Sequence, residues 1–227
     1  MNHGTLFGIG VGPGDPQLMT LKALKTILSC DAVAIPAKDP ARCTAYKIAC
    51  GADPAIGQKP LLAVDMPMTK DAAVLAAAYE AGARLVAEQL TAGKNVAFLT
   101  LGDPSVYSTY FYIHEKIRKM GFATEIIPGV PSFCAAAAAL QEPLCENSTE
   151  LHIIPGTYNP AEGLDYPGTR ILMKNNLAET KAALKERGLS AALVENCGME
   201  NQRLIAASEE LPDKSGYFTV LIVKEQK

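Results

Sequence analysis

The chain has 227 residues, a mass of 24.1 kDa and a net charge of −3, from 21 Lys and Arg against 24 Asp and Glu. That length suits one large or two small domains, and 48% hydrophobic with 20% charged residues excludes a disordered, collagen-like or coiled-coil chain. The mildly acidic balance, with no Lys/Arg cluster, argues against a nucleic-acid partner, and no apolar run reaches the ~18–20 residues of a membrane-spanning helix.

Residues 5–10 (TLFGIG) predict a buried first strand that runs into the glycine-rich turn 10–15, GVGPGD. A helix is expected next, with Thr20 as its N-cap and Leu21, Leu24 and Leu28 on one face. Residues 31–36, stopped by Pro36, predict a second strand, and residues 61–64 a third. The Ala/Leu/Glu-rich stretch 71–91, closed by Gly93, predicts a long helix. Residues 95–101 read as a strand, from which Gly102-Asp103-Pro104 leads into a helix over 105–120 with Pro104 at its first position. Residues 123–127 form a further strand ended by Pro128-Gly129, and residues 132–140, with five consecutive alanines, a helix. Beyond them 151–154, 169–173, 191–195, 204–207 and 217–223 predict strands, and 177–188 a helix.

The first half alternates strand and helix, which implies a mostly parallel sheet. The adjacent strands near the end imply antiparallel pairing and a mixed sheet. The expected fold class is α/β, with two α/β subdomains, residues 1–130 and 131–227. The segment 141–149 is polar, contains Pro143 and reads as a joint.

Six cysteines form no C-x-x-C pair, and the three histidines, His3, His114 and His152, lie far apart. Reduced structural thiols and no protein-ligated metal are expected. The first twelve residues lack a charged stretch followed by a long apolar one, so the expected location is the cytoplasm.

Three turns at strand ends carry the chemical signal: 10–15, 101–104 and 128–132. Ligands of open α/β sheets bind beyond the carboxyl ends of the strands. A dinucleotide fingerprint fails there. G-x-G begun at Gly8 needs glycine where Pro13 stands, and begun at Gly10 it needs glycine or alanine where Asp15 stands. The phosphate-cradling G-x-x-x-x-G-K-[ST] pattern is absent too. A carboxylate at a helix start repels pyrophosphate. These acidic, proline-containing turns suit a cationic cofactor without phosphate, such as S-adenosylmethionine. The alternative for each turn is plain structural punctuation, with Asp as a cap and Pro as a helix start.

With those motifs in order, the chain resembles the tetrapyrrole methylases over nearly its whole length. The match runs through VGPGDP (11–16), LMTLKAL (18–24), VAFLTLGDPSVY (96–107), IIPGVPSFCAAAAA (126–139) and ENCGMENQR (195–203). Three features look like the branch that methylates carbon 20 of precorrin-2 or its cobalt complex: MPMT (66–69) with Asp71, IPGT (154–157) and LMK (172–174). The family usually has Thr-Ser after Pro-Gly-Val, where this chain has Pro131-Ser132.

The resemblance implies an active site in the cleft between the subdomains and S-adenosylmethionine held by Pro13, Leu101, Gly102, Asp103, Val106, Pro131, Ser132 and Met173. Asn196 and Gly198 would flank its adenine. The tetrapyrrole would be methylated by in-line displacement, with Asp15, Tyr107, Tyr110 and Tyr112 as candidate bases and none singled out. Lys38, Arg42 and Lys174 are candidate partners of the substrate carboxylates. A homodimer is implied as well. Rival readings are a methylase of another ring carbon or of a protein side chain, and a nucleoside-binding module without chemistry.

Overall fold

The computed structural model describes residues 3–155, 160–173 and 177–225. The chain divides into two compact units, Met1–Pro131 and Ser132–Lys227.

The first unit contains β1 (Thr5–Gly10), α1 (Leu21–Ser29), β2 (Ala32–Ile35), α2 (Thr44–Ala52), β3 (Leu61–Ala63), α3 (Ala72–Thr91), β4 (Val96–Thr100), α4 (Tyr110–Lys119) and β5 (Ala123–Ile127). Its sheet has the order β3-β2-β4-β1-β5, and every pairing is parallel. Both faces are covered, which is why β2 and β4 are buried at every position and, Thr100 apart, apolar throughout. Ile9, Val33, Ile35, Ala97 and Leu99 pack with Ala23 and Ile27 of α1 and Ala45 and Ile48 of α2. Leu6, Ala32, Ala34, Val96 and Phe98 pack with Ala83, Val86 and Leu90 of α3 and Tyr110 and Ile113 of α4.

The second unit contains α5 (Ser132–Leu140), β6 (Leu151–Pro155), α6 (Pro160–Gly163), β7 (Thr169–Met173), α7 (Leu177–Arg187), β8 (Leu189–Glu195), β9 (Arg203–Ile205) and β10 (Thr219–Glu225). The strand order is β6-β7-β10-β8-β9. The β6–β7 pair is parallel, and β10 runs antiparallel to both β7 and β8, so the sheet is mixed as its sequence implies. Strand β10 lies in the middle of that sheet.

Four expectations need adjustment. The helix after β4 begins at Tyr110 rather than at residue 105, because Ser105 and Ser108 hydroxyls bind Asp103 and Thr100 and hold residues 104–109 in turns. On α1 the buried residues are Ala23 and Ile27, flanked by Leu24 and Leu28, while Leu21 is 74% exposed. Helix α2 is absent from the sequence reading, since Cys43 caps it without a side-chain bond and Gly51 sits in its last turn. Strand β9 ends at Ile205, and β10 begins at Thr219 and extends to Glu225.

Candidate functional site

In the first sheet β1 lies between β4 and β5, so the loops leaving these three strands emerge side by side at the carboxyl edge. The chain passes from β1 to β2 and β3 on one side and later reaches β5 on the other. That reversal is where an open parallel sheet leaves a crevice.

The three loops are sewn together by their backbones. Gly102 N–H donates to Gly12 O at 2.8 Å, and Gly12 N–H returns a bond to Gly102 O at 3.3 Å. Both glycines have positive φ, +82° at Gly12 and +68° at Gly102, a region that a side chain would strain. A Cβ on Gly10 would lie 2.6 Å from Gly102 O and 2.6 Å from Gly129 N, and one on Gly129 would lie 2.2 Å from Gly102 O. Glycine at these places serves loop-on-loop contact before any ligand arrives.

Asp103 completes the junction. It is 8% exposed, and its carboxylate accepts from Gly129 N–H at 2.8 Å, Ser105 N–H at 2.7 Å and the Ser105 hydroxyl at 2.5 Å. It therefore does more than the turn-stabilising alternative requires, since one oxygen reaches the β5 loop. A second clamp follows at Thr100, whose Oγ1 lies 2.8 Å from Ser108 Oγ, while Ser108 Oγ accepts Tyr110 N–H at 3.2 Å. The serines at 105 and 108 are the only sequence trace of these clamps.

Loop residues 10–15, 101–109 and 128–131 hold two carboxylates, Asp15 and Asp103, and no Lys, Arg or His. Phosphate groups would find no cation here. A sulfonium and an ammonium find carboxylate and carbonyl oxygens, and the half-buried Leu101 and Val106 add apolar surface. This donor set fits S-adenosylmethionine. Pro13 lies between Gly12 and Gly14, and Pro131 ends the first unit.

The remaining candidates stand as follows. In the second unit Ser132 opens α5, and Met173 closes β7 opposite Val220. Asn196 and Gly198 form the turn after β8, both at positive φ, with Gly198 N–H bound to Gln202 Oε1 at 2.7 Å. The two charged ends of the 195–203 motif pair across β8 and β9, with Arg203 Nη1 3.0 Å from Glu195 Oε2. Lys38 bonds Asp65 at 3.0 Å, and Arg42 is exposed on a short turn before α2. Lys174 and the Gly156-Thr157 part of the IPGT motif lie outside the described residues.

Of the possible bases, Asp15 accepts Gln17 N–H at 2.8 Å and caps a turn. Tyr110 is fully buried against Gly8, with its hydroxyl 3.1 Å from His114 Nδ1, and burial pushes that phenol well above its ordinary range. Tyr112 stacks on Tyr79 with centroids 4.6 Å apart. Tyr107 stays 55% exposed on the β4 loop. Among the described residues no three His, Cys, Asp or Glu side chains gather to hold a metal, and no helix is long and apolar enough to cross a membrane.

Comparison with known proteins fits this geometry. Precorrin-2 C(20)-methyltransferase of Sinorhizobium sp is 32% identical over 233 residues, 97% of this chain and 95% of the relative. Probable cobalt-precorrin-2 C(20)-methyltransferase of Methanocaldococcus jannaschii is 30% identical over 228 residues, 98% and 96% of the two chains. Cobalt-precorrin-4 C(11)-methyltransferase of Priestia megaterium matches only 61% of this chain and 47% of its own, at 30% identity. Among solved structures, uroporphyrin-III C-methyltransferase of Thermus thermophilus complexed with S-adenosyl homocysteine superposes with a TM-score of 0.72 at 20% identity, covering 98% of each chain. Residues 5–212 match the model of the tetrapyrrole (corrin/porphyrin) methylases, and the chain belongs to that family.

Proposed function

We propose that this protein transfers a methyl group from S-adenosylmethionine to carbon 20 of precorrin-2 or its cobalt complex, a step in building the corrin ring of cobalamin. The observation that carries this reading is a match of 30–32% identity over nearly the full length of two relatives named for carbon 20, against a partial match to one named for carbon 11. The loop edge without cations supports the cofactor, since it favours a charged sulfonium over any phosphate-bearing group.

Pro13, Leu101, Gly102, Asp103 and Val106, with Pro131, Ser132 and Met173, are the residues we assign to the cofactor. When bound, it supplies an electrophilic methyl group and leaves as a neutral thioether. The loops then have little charge to stabilise. Their work is positioning, because holding a nucleophilic carbon in line at about 3–3.5 Å removes most of the entropic barrier. The rigidity of the Gly12–Gly102 pair and the Asp103 junction suits that task. Pro131 stands where the family usually has Thr, so the hydroxyl and the amide N–H of that residue are both missing from the cofactor site.

The same reading includes a cytoplasmic homodimer, for which light scattering should give a mass near twice 24.1 kDa, with or without cofactor. The test of function is incubation with precorrin-2, its cobalt complex and methyl-labelled S-adenosylmethionine, followed by NMR mapping of the label. Label on carbon 20 is expected. Label on another ring carbon, or none on either ring, refutes the reading.

A further inference from the structure

Helix α3 is longer than the sheet it covers. Its carboxyl end lies at the amino edge of the sheet, where Leu90 O accepts Gly4 N–H at 2.8 Å just before β1. Gly82 is level with the opposite edge. A Cβ there would lie 2.5 Å from Cγ1 of Val64, which directly follows β3, and 3.2 Å from Ile113 Cδ1. Residues 72–81 therefore run about 15 Å past the carboxyl edge, the edge that carries the cofactor loops.

This overhang is braced. Tyr79 stacks on Tyr112 of α4 with centroids 4.6 Å apart and planes 7° from parallel, and Glu80 pairs with Lys116 at 2.9 Å. Every residue from Ala72 to Ala78 is apolar. Gly82, Ala83 and Val86 are buried against the sheet, and two turns earlier the same stripe continues as Leu75, Ala76 and Tyr79. Past the edge, that stripe faces over the loops instead of the sheet. Ala76 is exposed, Leu75 and Tyr79 are half-buried, and Leu75 belongs to neither core layer of the sheet. A rigid apolar face at the edge where open sheets bind ligands points to a ligand with apolar surface.

Charge divides the same edge. The loops leaving β1, β4 and β5 hold no cation, whereas those leaving β2 and β3, residues 36–43 and 64–70, hold Lys38, Arg42 and Lys70. The carboxylates beside these cations are committed. Asp65 pairs with Lys38 at 3.0 Å, Asp39 accepts Ala41 N–H at 2.9 Å, and Asp71 caps α3 through Ala73 N–H at 2.9 Å. Arg42 and Lys70 are exposed and form no ion pair among the described residues.

We propose that the tetrapyrrole lies over the β2–β3 half of this edge, with its flat face against Leu75 and Ala76 of the α3 overhang and its peripheral carboxylates on Arg42 and Lys70. This rests on the function proposed above. A conjugated macrocycle rimmed by carboxylates needs an apolar wall with cations beside it, and this half of the edge supplies both. The cation-free half is left to the sulfonium.

The experiment compares Leu75→Glu, Leu75→Met, Arg42→Gln and Lys70→Gln with wild type. It reads melting temperature, mass by light scattering, calorimetric affinity for S-adenosylmethionine, and steady-state methylation of precorrin-2 at low and moderate salt. Glutamate suits the first turns of a helix, so Leu75→Glu should keep the wild-type melting temperature and mass. Its cofactor affinity should stay within about twofold, while KM for the ring rises at least about tenfold. Leu75→Met should hold KM to within about threefold, since it restores the apolar wall. Arg42→Gln and Lys70→Gln should each raise KM at least about threefold and flatten its salt dependence. Should Leu75→Glu fail to fold, Leu75→Ala removes the same apolar surface without adding charge, and a rise in KM is again expected. A folded Leu75 variant, Glu or Ala, with wild-type KM overturns the wall. A Leu75→Glu protein of halved mass overturns it too, because the face would then be covered by a second copy. Wild-type KM in both cation variants overturns the carboxylate assignment. A wild type that methylates neither precorrin-2 nor its cobalt complex overturns the functional reading itself, and this proposal with it.

Discussion

Replacing Asp103 by asparagine separates a carboxylate that holds loops together from one that holds cofactor. The native side chain accepts at both oxygens, from Gly129 N–H at 2.8 Å and from Ser105 N–H at 2.7 Å and its hydroxyl at 2.5 Å. Asparagine offers one acceptor and one NH2, so either orientation sets a donor against a backbone N–H. Ser105 is exposed and its hydroxyl rotates, so the NH2 should face Ser105 and leave the oxygen to Gly129. Losing one charge-assisted bond and weakening the other then costs about 2 kcal/mol. For a chain of this size that lowers the melting temperature by roughly 4–8 °C. Thermal and urea unfolding read the stability, and calorimetry reads S-adenosylmethionine affinity in the same samples. An asparagine variant within about 0.5 kcal/mol of wild type refutes the junction. If that stable variant had also lost cofactor binding, Asp103 would belong to the ligand.

Gly129→Ala should weaken cofactor binding by about tenfold and lower stability, because its Cβ would sit 2.2 Å from Gly102 O and both loops must part; unchanged calorimetry would refute the close packing. Lys59→Met should cost about 1–2 kcal/mol in urea unfolding, since Lys59 Nζ donates to Leu28 O at 2.8 Å and Cys30 O at 2.7 Å at the carboxyl end of α1. Burial, aided by Arg118, holds the His114 imidazole below its ordinary value of 6.5. The folded chain therefore resists a proton that the unfolded chain accepts. This part of the stability is complete above pH 6.5 and declines as pH falls below it, by at most about 1.4 kcal/mol per pH unit. Unfolding at pH 7.5 and 5.5 should reveal that slope in wild type and a flatter one in His114→Gln, and equal slopes would exclude His114 as the source.

Periodicity and turn chemistry made most elements legible. The strands at 5–10, 123–127 and 169–173 stand at the expected limits, because each is a short apolar or β-branched run between turn residues. Thr20 caps its helix as read, accepting the N–H of Ala23, while Asp71, read as the first residue of the long helix, is its cap and accepts the N–H of Val74. Hidden from the sequence were effects of hydroxyls that bond back to the chain. Ser105 and Ser108 look like neutral helix residues, yet they delay α4 to Tyr110. Leu21 looks like core, but the first turn of α1 leaves it exposed while the smaller Ala23 is enclosed. The turns holding Gly10 and Gly129 were legible as special, but not the contact that requires glycine in them: what each makes room for is another loop. No local pattern reveals that, because Gly10 and Gly129 meet only once β5 has paired with β1.

Strand β10 occupies the centre of the second sheet although it follows every other strand in the chain. During synthesis the β6–β7 and β8–β9 pairs therefore emerge first, each with the edge that will receive β10 still unpaired. Until Thr219–Glu225 leaves the ribosome these two half-sheets have no strand to join them. Folding of this unit cannot proceed vectorially, and the waiting edges are open to pairing with neighbouring chains. Nascent chains halted before Thr219 should stay protease-sensitive in the second unit and protected in the first. A chaperone that covers strand edges would then matter more to the yield of this protein than to its final stability.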